Sequence, residues 1–188
     1  KKLFSIERAA TGFLGVKTLG VHMNGYKIKN FNKELIIAKR SSSIKSYPNL
    51  LDTMVAGFLP LNYNPRVKLI EEAYEEAGID NKKIKNVKFV SYVNFIEANM
   101  FNCKRGSIII FDLLLPNTFI PRNNDGEVES FNNLGMNKVS SLTKSSKYFK
   151  FDSRLVAIDF LLRHSFFQNN YQELITKLNI LRQDIDNL

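Results

Sequence analysis

The run Glu71-Glu72-Ala73-Tyr74-Glu75-Glu76-Ala77 constrains this chain more than any other segment. Pro65 precedes it and Gly78 follows it, residues suited to the first turn and the C-terminal stop of an α-helix. At 100° per residue, Glu72, Glu75 and Glu76 fall in one narrow sector, while Val67, Ile70, Tyr74 and Ala77 gather on the opposite side. The spacing therefore predicts a helix that lays an apolar stripe on a core and holds three carboxylates on its other face. Like charges three or four residues apart repel by roughly 0.2–0.5 kcal/mol per pair on an exposed helix. A hard divalent cation with oxygen ligands, Mg²⁺ being the usual one in phosphate chemistry, would relieve that repulsion. The plainer alternative is a solvated acidic face. Lys and Arg are abundant in the chain, yet none interrupts Glu71 to Glu76.

Around this helix the residue pattern has period two. Residues 19–28 alternate and contain Asn24-Gly25, a hairpin-turn signal. A second strand is expected over 34–40, ending in Ser41 to Ser43, and a short strand over 52–57 enters a loop marked by Pro60, Asn62, Asn64 and Pro65. Two longer runs, 87–100 and 107–115, read as a hairpin; a polar loop over 116–126 and a short strand over 127–134 follow. The period then changes. Residues 151–167 and 171–188 show helical spacing, through Leu155, Ile158 and Leu162 and through Leu174, Leu178 and Leu181. Strands, helix, strands and helices in this order predict an α/β sandwich with a mixed sheet, in one domain over 1–188.

Composition excludes several classes. No apolar run approaches eighteen residues, so no membrane span or membrane partner is expected. Cys103 is the one cysteine, which rules out an internal disulfide and fits a reducing, cytoplasmic compartment. It also has no CxxC partner, so a catalytic thiol is not expected. The net charge of +9 comes from lysines spread along the chain among many asparagines, without a basic arm or an RNA-binding signature. Nucleic acid is therefore not the expected partner, and the charge serves at most to attract a phosphate substrate. Phe149, Phe151, Phe166 and Phe167 could stack on a heteroaromatic ring but read mainly as core, and His164 reads as the packed end of a helix. The last helix offers Ile175, Leu178, Ile180 and Leu181 either to the domain or to a second copy of the chain; the sequence leaves a homodimer open.

The spacing Gly57, Glu72, Glu75, Glu76, Gly78-Ile79 resembles the Nudix hydrolase box, residues 57–79 here. Further segments resemble a Nudix subgroup similar to the domain fused to fungal thiamine pyrophosphokinase and to plant chloroplast Nudix proteins. They are Glu7-Arg8-Ala9-Ala10, Gly20-Val21-His22-Met23-Asn24-Gly25-Tyr26, Asp52-Thr53-Met54-Val55-Ala56-Gly57, the stretch from Phe119 to Phe131, and Ile158-Asp159-Phe160-Leu161-Leu162-Arg163-His164. Three positions depart from the pattern: Tyr63 stands where the first Glu belongs, Glu71 replaces the Arg, and Phe58 follows Gly57 where the subgroup has a second Gly.

The resemblance implies an α/β/α Nudix fold, with C-terminal helices over about 151–188, whose box forms a loop–helix–loop. It implies hydrolysis of a phosphoanhydride, in this subgroup of oxidised or damaged thiamine diphosphate-type compounds to the monophosphate and phosphate. The alternatives are a pyrophosphohydrolase of nucleotide diphosphate derivatives and a degenerate domain that binds a phosphorylated ligand without turnover. The cofactor implied is Mg²⁺, with Mn²⁺ as a substitute. Glu72, Glu75 and Glu76 would be catalytic residues and metal ligands, Glu127 or Glu129 a further ligand from outside the box, and His22 a substrate contact. Gly57 and Gly78 would be structural, Gly57 by allowing close approach of backbone to helix.

In family members the box Arg braces the glutamates; here Glu71 adds charge four residues before Glu75, and Lys68 is placed to compensate. Tyr63 is no metal ligand at neutral pH. Metal affinity is therefore expected to be weaker than for a complete box: titration of Mg²⁺ against activity should saturate well above the low micromolar range, and saturation within that range would contradict the expectation.

Overall fold

Seven strands form one mixed sheet in the computed structural model, which describes residues 5–167 and 171–182. Its spine is β1 (Lys17–Lys29), which runs parallel to β6 (Cys103–Leu114) from Lys17↔Arg105 to Tyr26↔Leu114. β5 (Lys88–Ala98) continues the sheet antiparallel to β6. The opposite edge of β1 is divided between two partners. Leu19 to Met23 pair with β4 (Val55–Leu59), and Gly25 to Lys29 pair with β2 (Asn32–Arg40). β2 in turn pairs with β3 (Leu51–Asp52) and, on its other edge, with β7 (Val128–Gly135). The sheet thus forks between β3 and β4, at Thr53 and Met54.

Helices cover both faces. Residues alternate along a strand, so Val21 and Met23 enter the core beneath α2 (Pro65–Ala77) with Leu69, Ala73 and Ala77, while His22 and Asn24 between them face the other way. On that second face α4 (Phe151–Arg163) packs Val156, Ala157, Phe160 and Leu161 against Leu35, Ile37, Ile108 and Ile110. Each fully buried Val, Leu, Ile, Met or Phe among these stabilises the fold by about 1.5–3 kcal/mol. Three further α-helices, α1 (Arg8–Thr11), α3 (Met136–Thr143) and α5 (Tyr171–Arg182), and a 3₁₀ turn over Lys83–Asn86 complete the described secondary structure. The expected α/β sandwich with a mixed sheet and C-terminal helices is the observed architecture.

Three local expectations are corrected. Asn24-Gly25 makes no turn; β1 runs straight through it, because Asn24 donates from Nδ2 to Asp112 Oδ1 at 2.9 Å and Gly25 lies against Met54. The hairpin instead turns at Asn30 and Phe31, whose φ values of 48° and 63° give the left-handed pair that a two-residue turn requires. The single strand expected over 52–57 is broken at the fork into β3 and β4. α3 was not expected; its Val, Ser and Thr are weak helix formers, and the packing of Val139 in the core holds it. In the final helix, positions 183–188 lie outside the described residues, as do the side chains of Leu178 and Leu181.

The predicted ends of α2 are observed. Asn64 Oδ1 accepts from Arg66 N at 2.9 Å and Val67 N at 3.2 Å, and Gly78 adopts φ 64° while its N–H bonds Tyr74 O. The backbone of Arg122 closes over that glycine, its carbonyl oxygen 3.0 Å from where a Cβ would stand. Gly78→Ala should therefore lower unfolding free energy by about 1–2 kcal/mol, measured as a shift in urea midpoint at unchanged slope; an unshifted midpoint would refute the account.

Candidate active site

Glu76 does not point where helical periodicity places it. The buried stripe of α2 is Leu69, Ala73, Glu76 and Ala77, whereas Val67 is 46% and Tyr74 61% exposed. The stripe is rotated towards the acids because Glu76 Oε2 accepts the backbone N–H of Ala56 at 2.8 Å. Burial first, then the Asp52 carboxylate, push the Glu76 carboxyl well above its ordinary range.

Glu72, one turn earlier, lies against the backbone of Gly57. A Cβ on Gly57 would stand 2.4 Å from Glu72 Cγ, so a side chain at position 57 would displace the glutamate. Lys68 Nζ is 2.7 Å from Glu72 Oε1 and 3.5 Å from Glu71 Oε2, placing a cation one turn before the two acids. Burial raises the Glu72 carboxyl; Lys68 opposes this, and the charges of Glu75 and Glu127 add to it. Two of the three departures from the box meet each other: the Tyr63 hydroxyl donates to Glu71 Oε1.

The five carboxylates named as metal ligands are not assembled into a coordination site. Among the described residues no three His, Cys, Asp or Glu side chains converge on one point. Glu76 is turned inward to Ala56, Glu72 is held by Lys68, and Glu75 is exposed. Glu127 and Glu129 part company: Glu127 borders the cavity described next, and Glu129 pairs with Lys39 at 2.9 Å beside a different one. The donor chemistry nonetheless suits a hard cation. All these groups offer carboxylate oxygens, and burial disfavours the ionised forms of Glu72 and Glu76, which a bound cation would offset. Holding an ion would require Glu72 to exchange Lys68 for it.

Behind Ala56 and Gly57 a cavity of about 440 Å³ opens at the fork in the sheet. Arg8, Arg40, Lys104, Arg105 and Lys150 line it, delivered by α1, β2, β6 and the residue before α4. At its margin Asp52, 4% exposed, accepts from Arg40 Nη1 at 2.9 Å, from Thr53 N at 2.8 Å and from the Ser153 hydroxyl, with Lys150 Nζ at 3.5 Å. Burial would raise this carboxyl, but Lys150 and the other partners hold it below the usual range. His22 lines the same cavity, with Nδ1 2.9 Å from Thr53 Oγ1 and Nε2 3.9 Å from Asp152 Oδ2. Burial, with Lys150 next, lowers its pKa to about 4, so the ring is neutral.

Sequence reasoning missed the five cations. The only signal was the charge of +9, which says nothing about where residues from four separate elements meet. It also left the aromatic lining, Tyr47, Phe58 and Phe95, unassigned. Phe149, by contrast, is core as expected.

Comparison with known proteins gives the architecture its class. The NUDIX domain of Shewanella oneidensis NrtR, solved in complex with ADP ribose, superposes with a TM-score of 0.60 at 10% identity, over 79% of this chain and 88% of that one. At that identity the likeness shows a shared fold, and the fold is of Nudix type. No protein-family model matches the chain. Two curated relatives from Arabidopsis thaliana do. Nudix hydrolase 20, chloroplastic, is 41% identical over 178 residues, 93% of this chain and 48% of its own length. Nudix hydrolase 24, chloroplastic, is 38% identical over 161 residues, 86% of this chain and 44% of its own. The chain belongs to the Nudix hydrolase superfamily, and it spans about half the length of the curated relatives it matches.

The lowered pKa of His22 has a measurable consequence. The ring protonates at its ordinary 6.5 when unfolded and near 4 when folded, so its contribution to stability is complete above pH 6.5 and is lost as pH falls through 4. That loss amounts to roughly 3 kcal/mol at most. Urea titrations between pH 7 and 4 should show a shallower decline for His22→Asn than for the unmodified protein; parallel declines would refute it.

Proposed function

We propose that the protein is a Mg²⁺-dependent Nudix diphosphatase that hydrolyses a phosphoanhydride in thiamine diphosphate-type compounds, oxidised or damaged forms above all. The observation that carries this reading is the meeting of a cation-lined cavity with a glutamate-bearing helix across Ala56 and Gly57. A diphosphate presents negative oxygens to any attacking water, so catalysis consists largely of positioning and charge neutralisation. Arg8, Lys104, Arg105 and Lys150 supply positive charge from the cavity side. Nudix enzymes in general use a divalent metal; Glu72, Glu75 and Glu76, with Glu127, would hold it here, and it would screen phosphate oxygens and acidify water.

The protein's own groups do the rest. Neutral His22 can hydrogen-bond a phosphate oxygen without adding charge, and Phe58 and Phe95 give the organic part aromatic surface. Water attacks the terminal phosphorus and the bridging P–O bond breaks with its electrons passing to the departing monophosphate. The proton from water passes to a glutamate, and a carboxyl with a raised pKa such as Glu76 accepts it more readily. A reducing compartment and a single Nudix domain complete this reading.

A second reading is a pyrophosphohydrolase of nucleotide diphosphate derivatives, favoured by the ADP ribose bound in the Shewanella oneidensis neighbour. Phosphate and monophosphate release should be followed for thiamine diphosphate, its oxidised form and ADP ribose, with and without Mg²⁺. The expected result is turnover only with metal, fastest on the oxidised thiamine compound, and a loss of roughly 100-fold or more in Glu76→Gln. Faster turnover of ADP ribose would establish the second reading. Metal-independent silence that Glu76→Gln leaves unchanged would mean a binding domain without turnover.

A further inference from the structure

Tyr47 combines backbone strain, polar anchoring and a position between two cavities. It lies in the 41–50 segment that joins β2 to β3, with φ 53°, a left-handed conformation seldom adopted by a bulky residue and found mainly at turns and functional sites. The surroundings impose it from both sides. Arg40 Nε and Nη2 hold the preceding carbonyl, Ser46 O, at 3.3 and 3.0 Å. The Tyr47 hydroxyl donates to Glu97 Oε2 and accepts from Lys104 Nζ at 2.7 Å. Glu97 and Lys104 are direct cross-strand partners on β5 and β6. The side chain therefore reaches from a loop to the hairpin and is fastened there at its tip.

What it separates is informative. The cation-lined cavity and a second one of about 430 Å³ share Ser46, Tyr47, Glu97, Asn102 and Lys104. The second cavity is otherwise bordered by Lys45, Ala98 and Asn99, a hydrophilic lining suited to a sugar and unsuited to an apolar ring. A diphosphate bearing one organic group needs only the first cavity. A diphosphate joined at both ends to organic groups needs room for the second.

We infer that Tyr47, latched by Glu97 and Lys104, is a specificity-determining residue that restricts the site to diphosphates bearing a single organic group. This rests on the reading of the first cavity as a diphosphate site. Displacing the phenol would join the two cavities and admit a hydrophilic second group such as ribose.

Tyr47→Gly removes the ring and accepts φ 53° without strain, so it tests the wall with least risk to folding. Tyr47→Phe keeps the ring and removes only the latch. Affinities for thiamine diphosphate and for ADP ribose would be measured by calorimetry with Mg²⁺ for all three proteins, alongside kcat/KM. The ratio of ADP ribose to thiamine diphosphate affinity should rise about tenfold or more in Tyr47→Gly and by a smaller factor in Tyr47→Phe. If both ligands bind and the ratio moves by less than twofold in Tyr47→Gly, the inference is wrong and the diphosphate site stands. If neither ligand binds the unmodified protein, the functional reading fails and takes the inference with it.

Discussion

The bond from the Ala56 backbone N–H to the Glu76 carboxylate is the constraint around which the site is built. β4 pairs with β1 on one side only, and an unpaired edge leaves amide donors without partners. Glu76 caps one of them from the helix that crosses that edge. A carboxyl 5% exposed is costly to bury without such a partner, so the bond fixes both the rotation of α2 and the separation of helix from strand. Glu72 stands one turn back on the same face, and that rotation lays it on Gly57, where no side chain blocks it. A local hydrogen bond thus determines how close the acids come to the cavity.

The charges on the two sides of that contact are complementary. The helix side carries Glu72, Glu75 and Glu76, with the charge of Glu127 acting on Glu72 from the cavity border; among the described residues Lys68 is the cation paired with Glu71 and Glu72. The cavity side gathers five cations; Arg40 pairs with Asp52, and Lys150 lies beside both Asp52 and Asp152. Buried ion pairs of this kind add little net stability, because desolvation offsets their attraction. Their value here is positional. Asp52, tied down by Arg40, Thr53 and Ser153, keeps the Lys150 ammonium charged at the cavity margin. Opposite fields that meet over the width of two residues are suited to a ligand that is itself an anion paired with a cation.

How far the sequence discloses this follows from the range of each interaction. Helix α2, its Pro65 and Gly78 ends, the β5–β6 hairpin and the final helices depend on neighbours within a few residues, and period and terminal residues reveal them. The order of elements sufficed for the mixed sheet. Periodicity also placed Glu72, Glu75 and Glu76 on one flank of α2, but not the inward turn of Glu76, because its partner lies twenty residues back on another element. The cavity cations were invisible for the same reason: positions 8, 40, 104, 105 and 150 become neighbours only through the fork in the sheet. The Asn24-Gly25 signal misled because a buried bond to Asp112 outweighs a turn preference in the middle of a long strand.

The three departures from the box read differently once their contacts are known. Tyr63 and Glu71, each an anomaly alone, are hydrogen-bonded to each other, so the loop before α2 remains fastened to the helix by a neutral donor on a carboxylate. Lys68 performs from one turn earlier the bracing that the resemblance assigns to the box Arg, and it does so for Glu72 as well as Glu71. Phe58, in place of a glycine, lines the cavity and gives the Arg8 guanidinium a ring face 5.7 Å away, a favourable cation–π arrangement. Each substitution thus has a contact of its own. A box eroding without constraint would lose partners one at a time, and the unsatisfied groups would show. Here the altered residues are paired with one another or with a neighbouring cation, which is the pattern expected when a site is retuned while its frame is kept.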